Sequence, residues 1–463
     1  MGMEGRWRRR VMHGLLAMVL GVAAWWGLTR WGGSQQACWM GGIMVVAVVL
    51  WLTEAVPLFV TSLWVVLLEI VLLGNPGGWQ GLGFEHGQGW RWTSVLGAAM
   101  DPVLVLFAGG LVLARCMVKQ GLDRAASAWL VGRLGGSPGG MLLGVMLATS
   151  MLGMWMSNTA TASLMLALVG PMRRGLPEGD GMRKALVLGV AFAANLSGLG
   201  TPVASPPNAV ASELLRAAGH PVTFLGWMRV GVPLSAGLTL LAWAVLRWRH
   251  GSGPWQGMKG WAAPKVGWGG AWVAMVFAGT AGLWMTEGLH GLPPSVVALG
   301  SWAVLGLSGM FTAEDMAGME WRVLMLIGGG LALGAGVRET GLGAWLIGGI
   351  PAGGTSLLAA LVLGTFVTST FMSSTAAANV MLPMSMAASV GGTVHPVLAA
   401  MGVAMASSMA MALPASTPPN ALAHAEGEVT SMEMARASLW ISAAGLCVLL
   451  VAGRGWWGMA GLL

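Results

Sequence analysis

The sequence predicts an all-α polytopic membrane protein with about 11 transmembrane helices and two re-entrant hairpins. This prediction depends on the composition, on the length of the apolar segments and on two segments that small polar residues interrupt. The 463 residues are 56% hydrophobic and 9% charged, and their mean hydropathy of +0.73 exceeds that of soluble globular proteins. A bilayer core about 30 Å thick requires roughly 20 apolar residues per helix. We therefore expect the helices to face lipid.

Eleven apolar segments are predicted to cross the membrane. The N-terminal basic residues and the apolar run after them resemble a signal peptide, but the run continues without a convincing cleavage site of small residues. We therefore predict a first transmembrane helix there. The predicted spans are 14–29, 37–52, 57–74, 101–118, 185–213, 230–246, 269–286, 292–310, 322–337, 394–423 and 437–452.

Two further apolar segments, 135–172 and 345–390, are interrupted by Gly, Ser, Thr and Pro. Irregular backbone is tolerated at membrane depth only where it contacts protein or water. We predict that both segments are re-entrant hairpins, which enter and leave the membrane on the same side.

The distribution of Lys and Arg tests this topology. With a cytoplasmic N terminus, eleven crossings and two re-entrant hairpins, 18 of the 24 basic residues lie inside. The other six are Arg30, Arg91, Arg216, Arg229, Arg338 and Arg454. This is the asymmetry that the positive-inside rule expects, and treating either hairpin as a single span would invert everything after it. The C terminus is therefore predicted to lie outside.

Three motifs occur twice in the same order. PVLVLFAGGLVLARCMVKQGL (102–122) is similar to RVLMLIGGGLALGAGVRETGL (322–342), MSNTATAS (156–163) to MSSTAAAN (372–379), and SPPNAVA (205–211) to TPPNALA (417–423). Because the predicted topology places the first hairpin inside and the second outside, the repeats are inverted, as is common in secondary transporters.

The repeats predict the organisation of the chain. It comprises a basic segment with the first transmembrane helix (1–36), a first repeat (37–250) with hairpin 135–172 and broken helix 185–213, a cytoplasmic linker (251–268), and a second repeat (269–463) with hairpin 345–390 and broken helix 394–423. In each repeat, scaffold helices are predicted to precede the hairpin.

Asparagine is concentrated in the repeated motifs. The chain has six asparagines, and all except Asn75 lie in the paired regions that contain these motifs, namely Asn158, Asn195, Asn208, Asn379 and Asn420. An amide in hydrocarbon needs partners, so this concentration indicates a shared polar cavity. Small polar residues can also pack transmembrane helices together, but two matching clusters favour a binding site.

TPVASPPN (201–208) and LPASTPPN (413–420) place adjacent prolines within apolar spans. Proline removes a backbone donor and keeps the preceding residue out of the helical region, so both spans are expected to unwind. Half-helix N termini at such breaks can bind an anion, and free carbonyls can bind a small cation. The sequence therefore predicts a binding site near the middle of the membrane.

The polar groups of these motifs are uncharged, which argues against several functions. A membrane enzyme would need a nucleophile, a metal cluster or a paired acid and base, and none accompanies the motifs. The three Cys and seven His are scattered without metal-ligand spacing, so no resident cofactor is predicted. The net charge of +7 lies in short loops, where it sets orientation rather than binding nucleic acid. Inverted repeats with twin hairpins argue against a channel.

These ordered motifs resemble the divalent-anion/sodium symporter (DASS) family, bacterial relatives of mammalian sodium-dependent dicarboxylate and sulfate carriers. The resemblance runs from about residue 37 to near the end of the chain. It includes WLTEAVPLFVTSL (51–63), SNT (157–159), GTPVASPPNA (200–209) and LPASTPPNA (413–421). It implies a homodimer in the bacterial inner membrane, with a scaffold domain and a transport domain that moves as an elevator.

The resemblance also implies site residues, motif by motif. Ser157, Asn158 and Thr159 would contact one substrate carboxylate, and Ser157, Asn158 and a carbonyl near Gly200 would hold a first sodium ion. The second substrate contacts would come from Ser373, Ser374, Thr375, Thr417 and Pro418. The second sodium site would comprise Ser369, Ser374 and carbonyls near Met372 and Ser416.

Two positions depart from the family pattern. Ser374 replaces an asparagine that in the family faces both substrate and cation, and Gly153 stands where some sodium-coupled members have a serine ligand. Each predicted cation site therefore loses one side-chain oxygen, and hard cations need several oxygen ligands. Two acidic residues, Glu54 in the WLTEAVP signature and Glu69 in an apolar span, are open to a structural or a functional interpretation.

The sequence thus predicts a secondary carrier, not an enzyme, that imports small divalent anions and is driven by sodium. C4-dicarboxylates such as succinate, malate and fumarate are the expected substrates. Two alternatives stay open: sodium-independent exchange of dicarboxylates, and transport of sulfate or another divalent anion. The expected partners are the anion, sodium ions, the lipid bilayer and a second copy of the chain.

Overall fold

The computed structural model describes residues 3–79, 90–250, 265–348, 353–390 and 392–462, with side chains from residue 10 onward. Over these residues the chain is helical and contains no β-strand, which confirms the predicted all-α class. Most of the predicted linker (251–264) and residues 349–352 of the second predicted hairpin lie outside the described residues.

The described residues form 23 α-helices. The first twelve are α1 (Met3–Arg30), α2 (Gln35–Thr53), α3 (Leu58–Leu68), α4 (Trp92–Ala99), α5 (Val103–Lys119), α6 (Leu122–Leu134), α7 (Pro138–Gly153), α8 (Asn158–Arg174), α9 (Gly181–Ser197), α10 (Pro206–Ala217), α11 (Phe224–His250) and α12 (Trp268–Met285). The others are α13 (Glu287–His290), α14 (Pro294–Leu307), α15 (Ala313–Ala317), α16 (Trp321–Glu339), α17 (Leu342–Gly348), α18 (Gly354–Phe371), α19 (Ser374–Val390), α20 (Pro396–Ser408), α21 (Pro418–Ala425), α22 (Ser431–Cys447) and α23 (Gly453–Met459). Short π-helical turns, Glu69–Leu73 and Val448–Ala452, continue α3 and α22.

Seven helical stretches of the described chain are long and apolar enough to cross a membrane. They are Arg10–Arg30, Gln35–Thr53, Trp92–Lys119, Phe224–His250, Trp321–Glu339, Gly354–Phe371 and Ser431–Met459. The protein is thus a multi-pass membrane protein. The count of eleven crossings stays a prediction.

The chain divides into two compact units, each made of separate segments. Unit 1 comprises Met1–Leu104, Ala209–Pro221 and Glu320–Ser407, and unit 2 comprises Val105–Asn208, Val222–Met319 and Ser408–Leu463. The second predicted hairpin belongs to unit 1. The first predicted hairpin and α21 belong to unit 2.

In unit 1, α16 packs closely against its neighbours through three successive glycines. A Cβ atom on Gly328 would lie 2.4 Å from Ala99 O, one on Gly329 2.2 Å from Ser62 Cβ, and one on Gly330 2.2 Å from Asn379 Oδ1. Successive helical residues point about 100° apart, so the three glycines face three different helices, α4, α3 and α19. The IGGG sequence therefore allows this close packing.

In unit 2, α9 forms the centre. Every residue from 185 to 205, which includes the end of α9 and the segment after it, is buried. Helices α7, α8, α11 and α21 pack against α9. At this centre Trp227 of α11 donates its indole N–H to Leu199 O at 3.1 Å. A buried non-helical segment is possible here because protein surrounds it on all sides.

Several helices are absent from the sequence prediction. The clearest is α6, which carries Asp123, Arg124 and Arg133 and is therefore too polar to be recognised as a membrane span. Its buried residues, Asp123, Ser127 and Val131, are spaced by four. That spacing is the helical period of one packed face, and it identifies α6 as an amphipathic connecting helix.

Ion pairs connect loops that the charge distribution assigns to one side. Arg183 Nη2 lies 2.5 Å from Glu428 Oε1, and Lys184 Nζ lies 2.6 Å from Glu433 Oε1. Lys119 Nζ lies 2.7 Å from Asp315 Oδ2. The positive-inside assignment places all of these loops inside. The pairing is therefore consistent with the predicted order of crossings.

Candidate functional site

The first polar motif lies where two helices meet. Helix α7 ends at Gly153 and α8 begins at Asn158, with a short turn between them. Ser157 caps α8 because its side chain accepts a hydrogen bond from Ala160 N at 3.3 Å. The N terminus of a helix carries free N–H groups and a partial positive charge, which together favour an anion. The turn therefore has the local structure that the sequence predicted for it.

The first broken helix packs against this turn. Helix α9 ends at Ser197 and α10 begins at Pro206. Thr201, in the non-helical segment, donates its hydroxyl hydrogen to Met154 O in the hairpin turn at 2.6 Å. Asn208 Nδ2 donates to Gly198 O at 2.6 Å and to Thr201 O at 2.8 Å. The amide thus holds two carbonyls of the segment in place.

The second broken helix repeats this arrangement. Asn420 Nδ2 donates to Met411 O at 2.8 Å and to Leu413 O at 3.1 Å. Thr417 caps α21 by accepting from Asn420 N at 3.4 Å. Ser416 Oγ donates to Leu413 O at 2.6 Å. The two Pro-Pro-Asn motifs therefore stabilise equivalent non-helical segments by equivalent bonds.

The adjacent prolines of the two motifs are not themselves in the unwound segments, although Pro202 and Pro414 are. Pro206 and Pro418 are the first residues of α10 and α21, where a missing N–H leaves no helical bond unmade. The helices therefore break before the prolines, at 198–205 and 409–417.

Unit 2 brings the two broken helices into direct contact. Asn195 Nδ2, at the end of α9, donates to Asn420 Oδ1 at 2.8 Å. Helix α21 also packs against α8 and α9. Residues of the two predicted repeats thus form one buried hydrogen-bonded group.

The second polar motif lies in unit 1, in a similar turn. Helix α18 ends at Phe371, Met372 is extended, and α19 begins at Ser374. The Ser369 hydroxyl is fully buried and has no hydrogen-bond partner among the described residues. Asn379 Nδ2 donates to Leu326 O at 3.0 Å, so this amide holds α19 to α16.

The predicted site residues differ in exposure. Ser157, Asn158, Thr159, Ser373 and Ser374 are half-buried, whereas Gly200, Ser369, Met372, Thr375, Ser416 and Thr417 are buried and Pro418 is exposed. Ser157, Asn158, Thr159, Gly200, Ser416, Thr417 and Pro418 belong to unit 2. Ser369, Met372, Ser373, Ser374 and Thr375 belong to unit 1. That both clusters form a single chamber stays a prediction.

An aromatic cluster at the first hairpin was not expected from the sequence. Trp155, in the turn, stacks on Phe224 and Trp284 with ring centroids 6.1 and 6.4 Å apart and meets Phe277 edge-on at 5.1 Å. Stacked and edge-on pairs add stability beyond apolar burial. With 26 tryptophans in the chain, no sequence signal distinguishes Trp155 from those expected at the membrane interface.

Two unpartnered side-chain oxygens at the hairpin turns are suited to bind a small hard cation. Asn158 Oδ1 in unit 2 and Ser369 Oγ in unit 1 are buried oxygens without a partner among the described residues. Buried polar atoms are nearly always paired, so unpartnered oxygens indicate a missing ligand or water. Both belong to the predicted sodium-binding sets, and the neutral oxygens there are of the kind that sodium binds in transporters.

Helical hairpins, broken helices and buried uncharged donors define the class of polytopic membrane transporters. Within that class the chain belongs to the citrate transporter (CitMHS) family, whose model matches residues 48–393 and 281–460. The predicted relationship to the divalent-anion/sodium symporters is confirmed.

Curated relatives span most of the chain. The sodium-dependent dicarboxylate transporter SdcS of Staphylococcus saprophyticus is 30% identical over 461 residues, covering 89% of this chain and 85% of the relative. SdcS of Staphylococcus aureus is 28% identical over 488 residues, covering 94% and 90%. The YdaH transporter of Alcanivorax borkumensis has a similar fold, with a TM-score of 0.55 at 18% identity over 88% of this chain and 97% of that one.

Proposed function

We propose that this protein is a secondary active transporter that imports small divalent anions, with C4-dicarboxylates as substrates and sodium as the coupling ion. The similarity to sodium-dependent dicarboxylate transporters over nearly the whole chain supports the substrate and the ion. The uncharged donors at the hairpin turns suit an anion that must bind and then be released.

One observation carries the proposal: the N terminus of α8 lies beside the non-helical segment after α9, joined to it by the bond from Thr201 to Met154 O. The N–H groups of the 17-residue helix α8 attract a carboxylate. The nearby oxygens, among them the buried Asn158 Oδ1, attract a cation. An anion and a cation bound side by side stabilise each other, which is the physical basis of coupled transport.

The contacts are proposed residue by residue. Ser157, Asn158 and Thr159 bind one carboxylate, and Ser157, Asn158 and Gly200 O bind a first sodium ion. The second cluster supplies equivalent contacts through Ser373, Ser374, Thr375, Thr417 and Pro418. Ser369, Ser374 and the carbonyls of Met372 and Ser416 hold a second sodium ion.

We further propose that the protein is a homodimer of the bacterial inner membrane that works by an elevator motion of a transport domain. Its N terminus is cytoplasmic and its C terminus is outside, as supported by the excess of Lys and Arg in the inner loops. The repeats 37–250 and 269–463 are proposed to have inverted topology.

Asn158→Ala is expected to reduce sodium-driven succinate uptake into proteoliposomes at least about tenfold, a loss of about 1.4 kcal/mol of binding or more. The variant loses amide contacts to both substrate and cation. Because Asn158 Oδ1 has no partner among the described residues, the folded protein is expected to keep its melting temperature. Reduced expression with normal specific uptake would instead identify Asn158 as a packing residue.

A pair of capping serines provides a matched control. Ser157 caps α8 and Ser137 caps α7 by the same bond to a backbone N–H three residues later, at 3.3 and 3.0 Å. Each Ser→Ala change removes a cap worth about 1 kcal/mol. We expect only Ser157→Ala to reduce uptake, since Ser137 lies at the far end of the hairpin helix.

The same vesicles distinguish the alternatives. Uptake that requires internal dicarboxylate and ignores a sodium gradient would indicate exchange, for which the departure at Ser374 is the observation in favour. Uptake that sulfate inhibits and succinate does not would indicate an inorganic anion carrier. Sodium-driven uptake into vesicles without internal anion supports the proposed symport.

A further inference from the structure

Gly153, which stands where some sodium-coupled members of the family have a serine ligand, lies against the end of α9. A Cβ atom on Gly153 would lie 2.1 Å from Ser197 Oγ and 2.9 Å from Ser197 Cβ. No side chain fits at such distances in a closely packed interior. The Ser197 hydroxyl therefore occupies the space that a side chain at position 153 would fill.

Four buried side-chain oxygens near Ser197 have no hydrogen-bond partner among the described residues. They are Asn158 Oδ1, Thr161 Oγ1, Ser205 Oγ and Asn208 Oδ1. Thr161 and Asn208 are 0% exposed and Ser205 is 4% exposed. A single unpaired oxygen can be a local defect, but four together indicate that a ligand binds among them.

The side chains that carry these oxygens lie around Gly153 and the dipeptide Ser197–Gly198. Thr161 Cγ2 lies 3.6 Å from the Cβ position of Gly153. Asn158 Nδ2 and Ser205 Cβ lie 2.8 and 3.5 Å from the Cβ position of Gly198, and Asn208 Nδ2 bonds to Gly198 O at 2.6 Å. The four oxygens thus come from α8, from Ser205 just before α10 and from α10 itself.

We propose that Ser197 Oγ is a ligand of a sodium ion bound between the first hairpin and the first broken helix, and that it supplies the oxygen which Gly153 lacks. Ser197 donates its hydroxyl hydrogen to Ala194 O at 2.7 Å, which leaves the oxygen lone pairs for a cation. The surrounding oxygens are neutral and favour a monovalent ion, because divalent sites usually include carboxylates. The inference rests on the sodium coupling of the proposed function.

The second repeat has the opposite arrangement at the equivalent positions. Ser369 precedes Ser373 by four residues, as Gly153 precedes Ser157. Met409 precedes Asn420 by eleven residues, as Ser197 precedes Asn208. Each repeat therefore has one hydroxyl at this pair of positions, on the broken helix in the first repeat and on the hairpin in the second.

The test measures sodium binding without transport. The full-length protein is purified in detergent, and its melting temperature is followed as sodium chloride replaces choline chloride at constant ionic strength. A ligand of the folded state raises the melting temperature in proportion to the logarithm of one plus the ratio of its concentration to its Kd, so a fit of the rise gives an apparent Kd for sodium. Ser197→Ala is expected to raise that apparent Kd at least about tenfold. The double variant Gly153→Ser/Ser197→Gly, which moves the hydroxyl to the hairpin, is expected to stay within about threefold of the wild type.

Ser438→Ala is the matched control. Ser438 is also fully buried and donates to a carbonyl three residues earlier, Ala435 O, at 3.1 Å. Its removal is expected to leave the apparent Kd for sodium unchanged.

The outcomes separate this inference from the proposed function. If Ser197→Ala keeps the wild-type sodium affinity, the ligand role is wrong and sodium coupling stands. If sodium stabilises the wild type no more than choline does, both are wrong. If Ser197→Ala does not fold, the double variant decides: a retained sodium response supports the inference, and a folded double variant without one overturns it.

Discussion

Asn208 and Asn420 show how a single side chain can maintain a break in a membrane helix. Each donates two hydrogen bonds from its amide nitrogen to carbonyls seven to ten residues earlier. Without these bonds the carbonyls would be buried and unpaired, which is costly in a protein interior. The amide nitrogens of Asn208 and Asn420 therefore support the backbone, while the oxygen of Asn208, like that of Asn158, has no partner among the described residues.

Asn208→Ala is expected to destabilise the protein by about 2–6 kcal/mol, because two buried carbonyls lose their donor at roughly 1–3 kcal/mol each. The melting temperature in detergent is expected to fall clearly below that of the wild type. Asn158→Ala, which breaks no described bond of the Asn158 oxygen, serves as the comparison. Equal melting temperatures for Asn208→Ala and the wild type would contradict the supporting role.

The sequence could predict where asparagine matters but not what each amide does. The sequence shows directly that asparagine is concentrated in the paired regions. The distinction between Asn158 and Asn208 depends on which carbonyls lie within 3 Å, and that follows only from the packing of segments distant in sequence. Ser197 was missed for the same reason, since its position against Gly153 depends on how α9 meets α7.

At the scale of helices, α16 shows why a glycine run recurs in both repeats. Gly329 lies against Ser62 of α3. In the first repeat, a Cβ on Gly109 would lie 2.6 Å from Ala298 Cβ of α14. Small residues let helices approach closely in a membrane, where apolar burial gives helices no reason to associate. The AGG and IGGG motifs are therefore explained by packing.

Gly329→Ala is expected to destabilise unit 1 by about 1–3 kcal/mol, because the new methyl group would overlap the Ser62 backbone and side chain. Gly300→Ala in α14 is the matched control, since no atom lies within 4 Å of its Cβ position. That change is expected to be neutral or to stabilise by up to about 1 kcal/mol, because alanine favours helix more than glycine. Thermal unfolding of the two variants measures the difference, and equal effects would contradict the packing role.

Helix breaks were predictable because proline has a fixed chemical effect. TPVASPPN and LPASTPPN indicated two broken spans, and both breaks are present. Each break lies on the N-terminal side of the adjacent prolines rather than at them, because these prolines begin the following helices. The amphipathic helix α6 was not predictable from hydropathy, because its buried face includes Asp123 and Ser127.

For the whole molecule, the distribution of Lys and Arg predicts the order of crossings, which stays a prediction, and the ion pairs are consistent with it. Arg216, predicted outside, pairs with Asp101 at 3.3 Å, which the topology also places outside. Lys119 and Arg115, predicted inside, pair with Asp315 at 2.7 and 3.2 Å. No pair described in these loops joins residues assigned to opposite sides.

The Asp315 pairs make stability depend on pH in a defined direction. The hydrogen bond from Lys119 holds the pKa of the Asp315 carboxyl well below its usual range, against the opposing effect of burial. A carboxyl whose folded pKa is lowered contributes stability above its unfolded pKa, about 4, and loses it as the pH falls through the folded value.

We therefore expect the wild type to melt at a higher temperature than Asp315→Asn at neutral pH. The difference is expected to shrink as the pH falls below about 4. Melting curves of both proteins between neutral and acidic pH measure it. A difference that grows on acidification would show that the ion pair does not cause it.

The hydrogen bond from Asn195 to Asn420 has a consequence for the energetics of a transport cycle. Asn420 also holds the carbonyls of Met411 and Leu413, so rigidity imposed on one interrupted helix is transmitted to the other. Two solutes bound at separate ends of this amide chain would then raise each other's affinity by the same factor, as reciprocal linkage requires. Such mutual tightening would disfavour movement of a half-loaded carrier and so limit leakage of either solute.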